Sequence, residues 1–323
     1  RTAVDRSILH TGWVNENIKG KNDEVRLLKK FLKGIKAYGS EVYIRGFSGY
    51  LAEILIIKYG SFLDVLEKAD FILRQKIIDP GNWLKREPEI AMKTVKREID
   101  EDRPLIVIDP VDPRRNVSAN LSWEKYGVFY FKSEGFLKEP STEFFFPPSG
   151  VSGNYLKELG RKGTHLLTLL FERPRLVDDI LMPQLEKSAR GIERALGREG
   201  FRVFGWDYGY SGEKAFIMLE VEGVERPAVK VHPGPEFFTE RGRDFYKKNG
   251  RVWLVGKRLY AEKEVAENIL DVLLALIKKN QVSIGRNLRE VIRDADFLLD
   301  YVPRDLEREA YLFLSRKKDC LKG

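Results

Sequence analysis

The spacing of apolar residues changes along this chain, and that change restricts the folds open to it. Up to about residue 135 they recur at helical spacing, which predicts helices over 24–36, 49–59 and 61–74. Ser48 is placed to cap the second of these, which is almost wholly apolar and therefore expected to be buried. The run LIVID at 105–109 is strand-like. The first part of the chain is therefore predicted to be mainly helical.

A stretch rich in proline, serine, glycine and aromatic residues at 139–163 indicates a boundary or a loop-rich edge. Beyond it, the pattern predicts strands over 164–174, 201–210, 214–222 and 251–260, and helices over 177–198, 239–249 and 264–279. This order favours an α/β body of the small RNA-binding type. Two more amphipathic helices are predicted within 283–318. We therefore predict an α+β chain with a helical central domain at 1–138, an α/β body at 139–280 and a helical tail at 281–323.

Composition excludes several classes of protein. The most apolar run, 269–277, is interrupted by Asp271 and is shorter than the roughly 18–20 residues of a membrane span. The single cysteine, Cys320, excludes an internal disulfide and a cysteine-based zinc site, and favours a cytoplasmic protein. A net charge of +8 favours a polyanionic partner, because neutralised phosphates release counterions. The chain lacks an initiator methionine and a signal pattern, so we expect it to begin inside a longer one.

Two acidic pairs are candidates for metal-assisted chemistry, which needs clustered carboxylates. Glu220 and Glu222 follow a Ser-Gly pair, but residues 214–222 have the pattern of one strand, so we expect both to face solvent. Asp109 and Asp112 lie in IDPVDP, where turn chemistry explains them equally well. We therefore predict no catalytic residue and no metal ligand within this chain.

Other polar residues are candidate ligands for phosphate or base. His10 precedes a lysine-bearing helix and offers a donor to a phosphate or a ribose. His165 and His232 have no acidic or thiol neighbours at ligand spacing and are interpreted as structural. Residues 45–56 combine glycines with a helix start, which suits an anion, although tight helix packing explains them as well.

An arginine pair in the run DPVDPRRN is a further candidate. Arg114 or Arg115 offers a planar, multi-donor guanidinium to a base or a phosphate. A solvent-facing arginine in a turn is the plainer interpretation, and spacing alone favours it.

Six segments, taken together and in order, resemble the archaeal class of CCA-adding tRNA nucleotidyltransferases: 3–14, 19–33, 37–56, 107–122, 173–193 and 283–292. The resemblance covers nearly the whole chain, is strongest through 1–125 and fades between 200 and 280. Members of that family consist of a catalytic head, a helical central domain, an α/β body and a helical tail. The resemblance therefore implies that the head, with its metal-binding carboxylates, precedes Arg1.

The resemblance also implies roles for particular residues. The sugar and triphosphate of CTP or ATP are expected to contact Ser7, His10, Lys29 and Tyr38. Arg115 is expected to read the incoming base together with the tRNA backbone, and Asn116 and Asn120 to support its loop. Charge and location select further candidates for contact with the acceptor stem and TΨC arm of tRNA: Arg173, Arg175, Lys187, Arg190, Arg286, Asn287 and Arg289. Mg²⁺ would be held by the head.

The predicted activity of the intact enzyme is the addition of two CMP and one AMP to the 3′ end of tRNA. For this chain we predict tRNA binding and partial nucleotide contact. One alternative is a non-catalytic tRNA-binding subunit that pairs with a separate nucleotidyltransferase head. A less favoured alternative is a protein similar to poly(A) polymerase, which would be expected to lack the DPVDPRRN and tail motifs.

Overall fold

The computed structural model describes residues 3–147, 153–264 and 268–316, with side chains from Ser7 onward. It has the mixed α+β character predicted from the sequence. The described residues fall into two compact units, one on each side of residues 150 and 151. The three-domain division with boundaries at 138 and 280 stays a prediction. None of the described helices has the length and apolar character needed to cross a membrane.

The first unit is mainly helical. Its helices are α1 (Ala3–Ile18), α2 (Asn22–Gly34), α3 (Gly49–Tyr59), α4 (Phe62–Glu67), α5 (Ala69–Gln75), α6 (Trp83–Arg86), α7 (Pro88–Asp100) and α8 (Trp123–Lys138). A three-stranded sheet has the order β1 (Ile77–Ile78), β2 (Ile106–Asp109) and β3 (Asp112–Asn116), with β1 and β2 parallel and β2 and β3 antiparallel. The predicted helix over 61–74 is two helices separated at Lys68. Strand β3 was not predicted, because its sequence is rich in turn-forming residues.

Helix α3 lies at the centre of this unit. Its apolar residues Leu51, Ile54, Leu55 and Ile56 are buried, because α1, α2 and α4 all pack against it. The predicted cap is confirmed: the Ser48 hydroxyl accepts a hydrogen bond from the Leu51 N–H at 3.0 Å. The start of α3 therefore has a fixed position within the core.

The second unit combines helices with two antiparallel sheets. Its helices are α9 (Tyr155–Lys162), α10 (Asp178–Arg198), α11 (Glu240–Lys248), α12 (Ile269–Lys278), α13 (Arg289–Arg293) and α14 (Glu307–Leu314). Its strands are β4 (His165–Glu172), β5 (Val203–Ser211), β6 (Lys214–Val221), β7 (Val229–Glu236), β8 (Val252–Val255), β9 (Arg258–Glu264) and β10 (Asp296–Leu299). The strand orders are β10-β4-β6-β5 and β7-β9-β8. Helices cover both faces of the larger sheet, which explains the continuous apolar runs of β4 and β6.

The structure corrects three predictions for this unit. The single strand expected over 251–260 is a hairpin of β8 and β9 that turns at Gly256, where φ is +58°. Strand β7 was not predicted. The two helices expected within 283–318 are separated by β10, which pairs with β4 through a register that begins at Asp296 and Leu170. Alternation over only four residues gives a weak strand signal, so the sequence did not reveal β10.

Gly191 in α10 permits close packing of the segment that follows α12. A Cβ added at Gly191 would overlap the carbonyl oxygen of Ser283, a backbone atom that cannot move aside alone. Gly197, in the same helix, has nothing within 4 Å of an added Cβ. Only the first of these two glycines is required by packing.

We expect Gly191→Ala to lower the free energy of unfolding by about 1–3 kcal/mol, because the added methyl group forces the two backbones apart. Gly197→Ala is the matched control and should raise it by about 0.5–1 kcal/mol, because alanine has the higher helix propensity. Thermal and urea unfolding of the two variants and the unchanged chain measure both values. Equal stability of the two variants would show that the close approach at Gly191 is not required.

Candidate functional site

A buried carboxylate organises the polar side chains of the first unit. Asp109 ends β2 and is fully buried. Its Oδ2 lies 2.8 Å from Nε2 of His10 and 3.7 Å from a terminal nitrogen of Arg115. Its Oδ1 accepts hydrogen bonds from the Val111 N–H at 3.0 Å and from the Tyr50 hydroxyl at 3.4 Å. The contact with Val111 is the predicted turn chemistry, whereas His10 and Tyr50 come from distant parts of the chain.

His10 and Tyr50 are held together beside this carboxylate. Their rings stack with centroids 4.1 Å apart. Burial raises the pKa of Tyr50 well above its usual range, and the neighbouring charge of Asp109 raises it further, so Tyr50 stays a hydrogen-bond donor. Because an ionised carboxylate only accepts hydrogen bonds, the contact with Asp109 requires a proton on Nε2 of His10. Nδ1 is then the ring nitrogen left for another partner.

Two further predicted nucleotide contacts meet at the start of α3. Nζ of Lys29, from α2, lies 2.6 Å from Oε1 of Glu53. A Cβ added at Gly49 would lie 2.9 Å from the Tyr38 hydroxyl and 3.5 Å from Nζ of Lys29. A backbone bridge to Phe47 fixes Tyr38. The absence of a side chain at Gly49 therefore leaves room for both polar groups beside the first turn of α3.

Three of the four residues predicted to hold sugar and triphosphate thus adjoin the first turn of α3, and Arg115 joins the same cluster through Asp109. Ser7 lies one turn before His10 on α1, and its side chain is exposed. Among the residues that the structure describes, no hydrogen bond joins the Ser7 side chain to any of the other four. Sequence reasoning missed Tyr50 and Glu53, because their partners are distant in the sequence.

Strand β3 gives the two adjacent arginines different surroundings. Arg114 is exposed, whereas Arg115 adjoins Asp109. The next residue, Asn116, is buried, and its Oδ1 accepts hydrogen bonds from the backbone N–H groups of Val107 and Ser118 at 2.9 and 3.0 Å. Its Nδ2 donates to the buried Glu98 at 3.0 Å, so Asn116 anchors the strand that carries Arg115.

The predicted RNA contacts of the body lie on the turn between β4 and α10, which carries Arg173 and Arg175, and on α10, which carries Lys187 and Arg190. Arg173 stacks on the ring of Tyr210 at 3.5 Å and lies 3.3 Å from Asp178. The hydrogen bond to Asp178 raises the pKa of Tyr210. Arg190 pairs with Glu186 at 2.7 Å, and Arg175 and Lys187 are exposed.

The predicted contacts of the tail lie on a segment held against α10. The Gly285 N–H donates to the Ser188 hydroxyl at 2.9 Å, and the Asn287 N–H donates to Gln184 at 2.7 Å. The side chains of Arg286, Asn287 and Arg289 are exposed. The basic side chains of this tail segment and those of α10 therefore lie on adjoining elements.

One sequence prediction about an acidic residue is wrong, and one histidine interpreted as structural has an acidic partner from a distant part of the chain. Glu220 does not face solvent: it is buried, and its oxygens contact Lys162 at 2.9 Å and Arg316 at 2.7 Å. His165 has an acidic neighbour, because its Nδ1 lies 2.7 Å from Oδ2 of Asp300. These partners are brought together by strand pairing and helix packing, which local sequence spacing does not show.

The carboxylates of the described residues do not fit the Mg²⁺ that the resemblance implies. Within 3–147, 153–264 and 268–316, no three histidine, cysteine, aspartate or glutamate side chains converge to hold a metal ion. The oxygens of Asp109 and Glu220 are occupied by side-chain and backbone donors, and Glu222 lies on the surface beside Arg202. We therefore assign no metal ligand to these residues.

Comparison with known proteins identifies the class to which this fold and this cluster belong. Residues 23–146 match the family described as tRNA nucleotidyltransferase, second domain, and residues 162–299 match CCA-adding enzyme, C-terminal domain. The CCA-adding enzyme of Thermococcus kodakarensis is 74% identical over 323 residues, which are 100% of this chain and 71% of that relative. The CCA-adding enzyme of Pyrococcus abyssi is 66% identical over 98% of this chain and 70% of its own length. That of Methanothermobacter thermautotrophicus is 36% identical over 97% of this chain and 68% of its own length.

This chain belongs to the family of archaeal CCA-adding enzymes. The resemblance predicted from the sequence is thereby confirmed at the level of the family.

We expect Asn116→Ala to lower the free energy of unfolding by about 2–4 kcal/mol, because it leaves Glu98 and two buried backbone N–H groups without this partner. Asn120→Ala is the matched control. Asn120 is exposed and donates to the Ser40 carbonyl oxygen at 2.8 Å, so its loss should cost less than about 1 kcal/mol. Chemical denaturation measures both changes. A cost for Asn116→Ala no greater than that for Asn120→Ala would contradict the anchoring role.

Proposed function

We propose that this chain binds tRNA and the incoming CTP or ATP during addition of C, C and A to the tRNA 3′ end. One observation carries the proposal: in a member of this family, His10, Lys29, Tyr38 and Arg115 adjoin the half-buried start of one helix, α3. These groups supply a cation, a hydroxyl, an imidazole and a guanidinium, which together suit a triphosphate, a sugar and a base.

The proposed triphosphate contacts are Lys29, His10 and Tyr38, with Ser7 one turn away on α1. The positive end of the helix dipole makes the first turn of α3 favourable for an anion, and the Ser48 hydroxyl already accepts from one N–H of that turn, that of Leu51. Lys29 is held by Glu53, so phosphate oxygens would exchange with that carboxylate. Arg115 is proposed to read the incoming base together with the tRNA backbone, because its side chain is 43% exposed and ends in planar donors.

The proposed tRNA contacts are the exposed polar and basic residues of the second unit. A-form RNA exposes phosphates and 2′-hydroxyls while its deep groove excludes side chains, so recognition of the acceptor stem and TΨC arm would depend on shape and charge. The candidates remain Arg173, Arg175, Lys187, Arg190, Arg286, Asn287 and Arg289. Their location on α10, the adjoining turns and the segment after α12 supports the proposal.

In this proposal, the carboxylates of a nucleotidyltransferase head bind Mg²⁺. The head also catalyses the transfer of two CMP and one AMP, with release of pyrophosphate. That head is either part of the same polypeptide or a separate partner, and we propose that the reaction takes place in the cytoplasm. The residues described in the structure are proposed to bind and to select. Their function is therefore measurable as binding of tRNA and nucleotide, without transfer.

We expect the chain to bind tRNA with an affinity that falls steeply as salt rises, because phosphate contacts release counterions. Arg286→Ala should weaken binding and reduce the slope of log K against log salt by about 1. Arg74→Ala, an exposed arginine of α5 paired with Asp70, is the matched control and should change neither. Filter binding at several salt concentrations measures both. Salt-independent binding, or no binding of tRNA, would contradict the proposed RNA contacts.

We expect Arg115→Ala to reduce the preference for CTP over ATP by about tenfold in the complex with a tRNA that lacks CCA, because the base loses a guanidinium donor. Its affinity for tRNA should change less than about twofold. Arg114→Ala, the neighbouring exposed arginine, is the matched control and should keep the preference. Equilibrium titration of each nucleotide into the complex measures the ratio. Equal losses of the preference for CTP in the two variants would show that Arg115 does not select the base.

A further inference from the structure

We propose that Asp109 is a positioning residue, which fixes the proton on His10 and the direction of Arg115 and so couples triphosphate binding to base selection. The inference deepens the proposed nucleotide site and rests on it. Asp109 touches no ligand itself, because its side chain is fully buried. It acts through His10, whose side chain is 15% exposed, and through Arg115, which is 43% exposed.

The imidazole of His10 and the guanidinium of Arg115 adjoin the same carboxylate oxygen of Asp109. Nε2 of His10 lies 2.8 Å from Oδ2 of Asp109, and a guanidinium nitrogen of Arg115 lies 3.7 Å from the same atom. They come from α1 and β3, while the carboxylate belongs to β2. A shift of the carboxylate therefore changes the imidazole and the guanidinium together, although one is assigned to the triphosphate and the other to the base.

The carboxylate is itself held in a single orientation. The Val111 N–H donates to Oδ1 at 3.0 Å, and the Tyr50 hydroxyl adds a longer contact of 3.4 Å to the same oxygen. The stack of Tyr50 on His10 fixes the plane of the imidazole. With Oδ1 facing these donors, Oδ2 is directed to His10 and Arg115.

This arrangement decides which ring nitrogen of His10 can reach a nucleotide. Nε2 carries a proton and donates a hydrogen bond to Asp109, so Nδ1 is the atom available to a ligand. In the neutral ring Nδ1 accepts, for example from a ribose hydroxyl, and in the protonated ring it donates to a phosphate oxygen. Loss of the carboxylate would reverse the roles of the two nitrogens.

Asp109→Asn tests the proposal with almost no change in side-chain volume. The Val111 N–H needs an acceptor, so the amide oxygen takes the place of Oδ1 and the amide NH₂ faces His10. A neutral ring must then accept through Nε2, and its proton moves to Nδ1. We expect the tautomer of His10 to change from Nε2–H to Nδ1–H in this variant.

Long-range ¹H–¹⁵N correlation spectra distinguish the two neutral tautomers from each other and from the doubly protonated ring. The chain contains only three histidines, so assignment is direct. His165 is an internal reference for the opposite tautomer, because its Nδ1 faces Asp300. Asp112→Asn is the matched control: this carboxylate lies in the same turn and accepts from the Arg114 N–H, so His10 should keep its Nε2–H form.

Nucleotide binding is the second readout. In complex with a tRNA that lacks CCA, Asp109→Asn should bind CTP about tenfold more weakly and lose most of the preference for CTP over ATP. Its affinity for tRNA should stay within about twofold. A change of tautomer combined with unchanged CTP affinity and unchanged preference would overturn the coupling, as would an Nε2–H ring in the variant.

The two readouts separate this inference from the proposed function. If the unchanged chain binds tRNA but neither nucleotide, the proposed nucleotide site fails and the coupling fails with it. A tautomer change in Asp109→Asn would then still support the positioning of His10. If the variant does not fold, as judged by circular dichroism, the unchanged chain remains decisive, because an Nδ1–H ring at His10 would overturn the proposal.

Discussion

Burial of α3 is the constraint on which the first unit depends. Neighbouring helices cover its apolar face, so the helix has little freedom to rotate or slide without exposing Leu51, Ile54 or Leu55. Its first turn inherits that fixed position, and the polar residues Tyr50 and Glu53 project from it to Asp109 and Lys29. The apolar core thus determines where the polar cluster forms.

Buried carboxylates in both units follow one rule, which is that each has donors from more than one element. Asp109 has an imidazole, a backbone N–H and a guanidinium nearby, Glu98 has Asn116 and Arg97, and Glu220 has Lys162 and Arg316. Charges removed from water are stable only with such compensation. Removing one donor leaves the buried carboxylate charge incompletely compensated, so these clusters order the chain around them. In the first unit that order extends to Arg115, the residue proposed to face the base.

The sequence predicted most of the helices and the buried strands, because periodicity over ten or more residues is a strong signal. It did not identify α1, α7 and α8 as separate helices, and α9 lies in the stretch interpreted as a boundary or a loop-rich edge. It also failed where the signal is short or where the partner is remote. Strand β3 has turn-forming residues and is a strand because β2 lies beside it, and β10 has four residues whose pairing with β4 depends on the fold. His10 and Arg115 were selected through the resemblance, but their common partner Asp109 was explained by a turn. Spacing shows Val111 two residues away and cannot show His10, which lies 99 residues earlier.

Three of the cations proposed to meet phosphate are paired within the protein: Lys29 with Glu53, Arg173 with Asp178 and Arg190 with Glu186. The side chains of these pairs are only partly buried, with exposed fractions between 20% and 48%. Water therefore still screens each pair, and replacing a carboxylate by a phosphate costs less than it would in the interior. The pairing keeps long side chains ordered before a ligand arrives, which reduces the entropy lost on binding. A basic chain with a net charge of +8 therefore does not need unpaired cations to favour a polyanion. Its excess charge draws RNA towards the surface, and the exchange of partners determines where the phosphates are held.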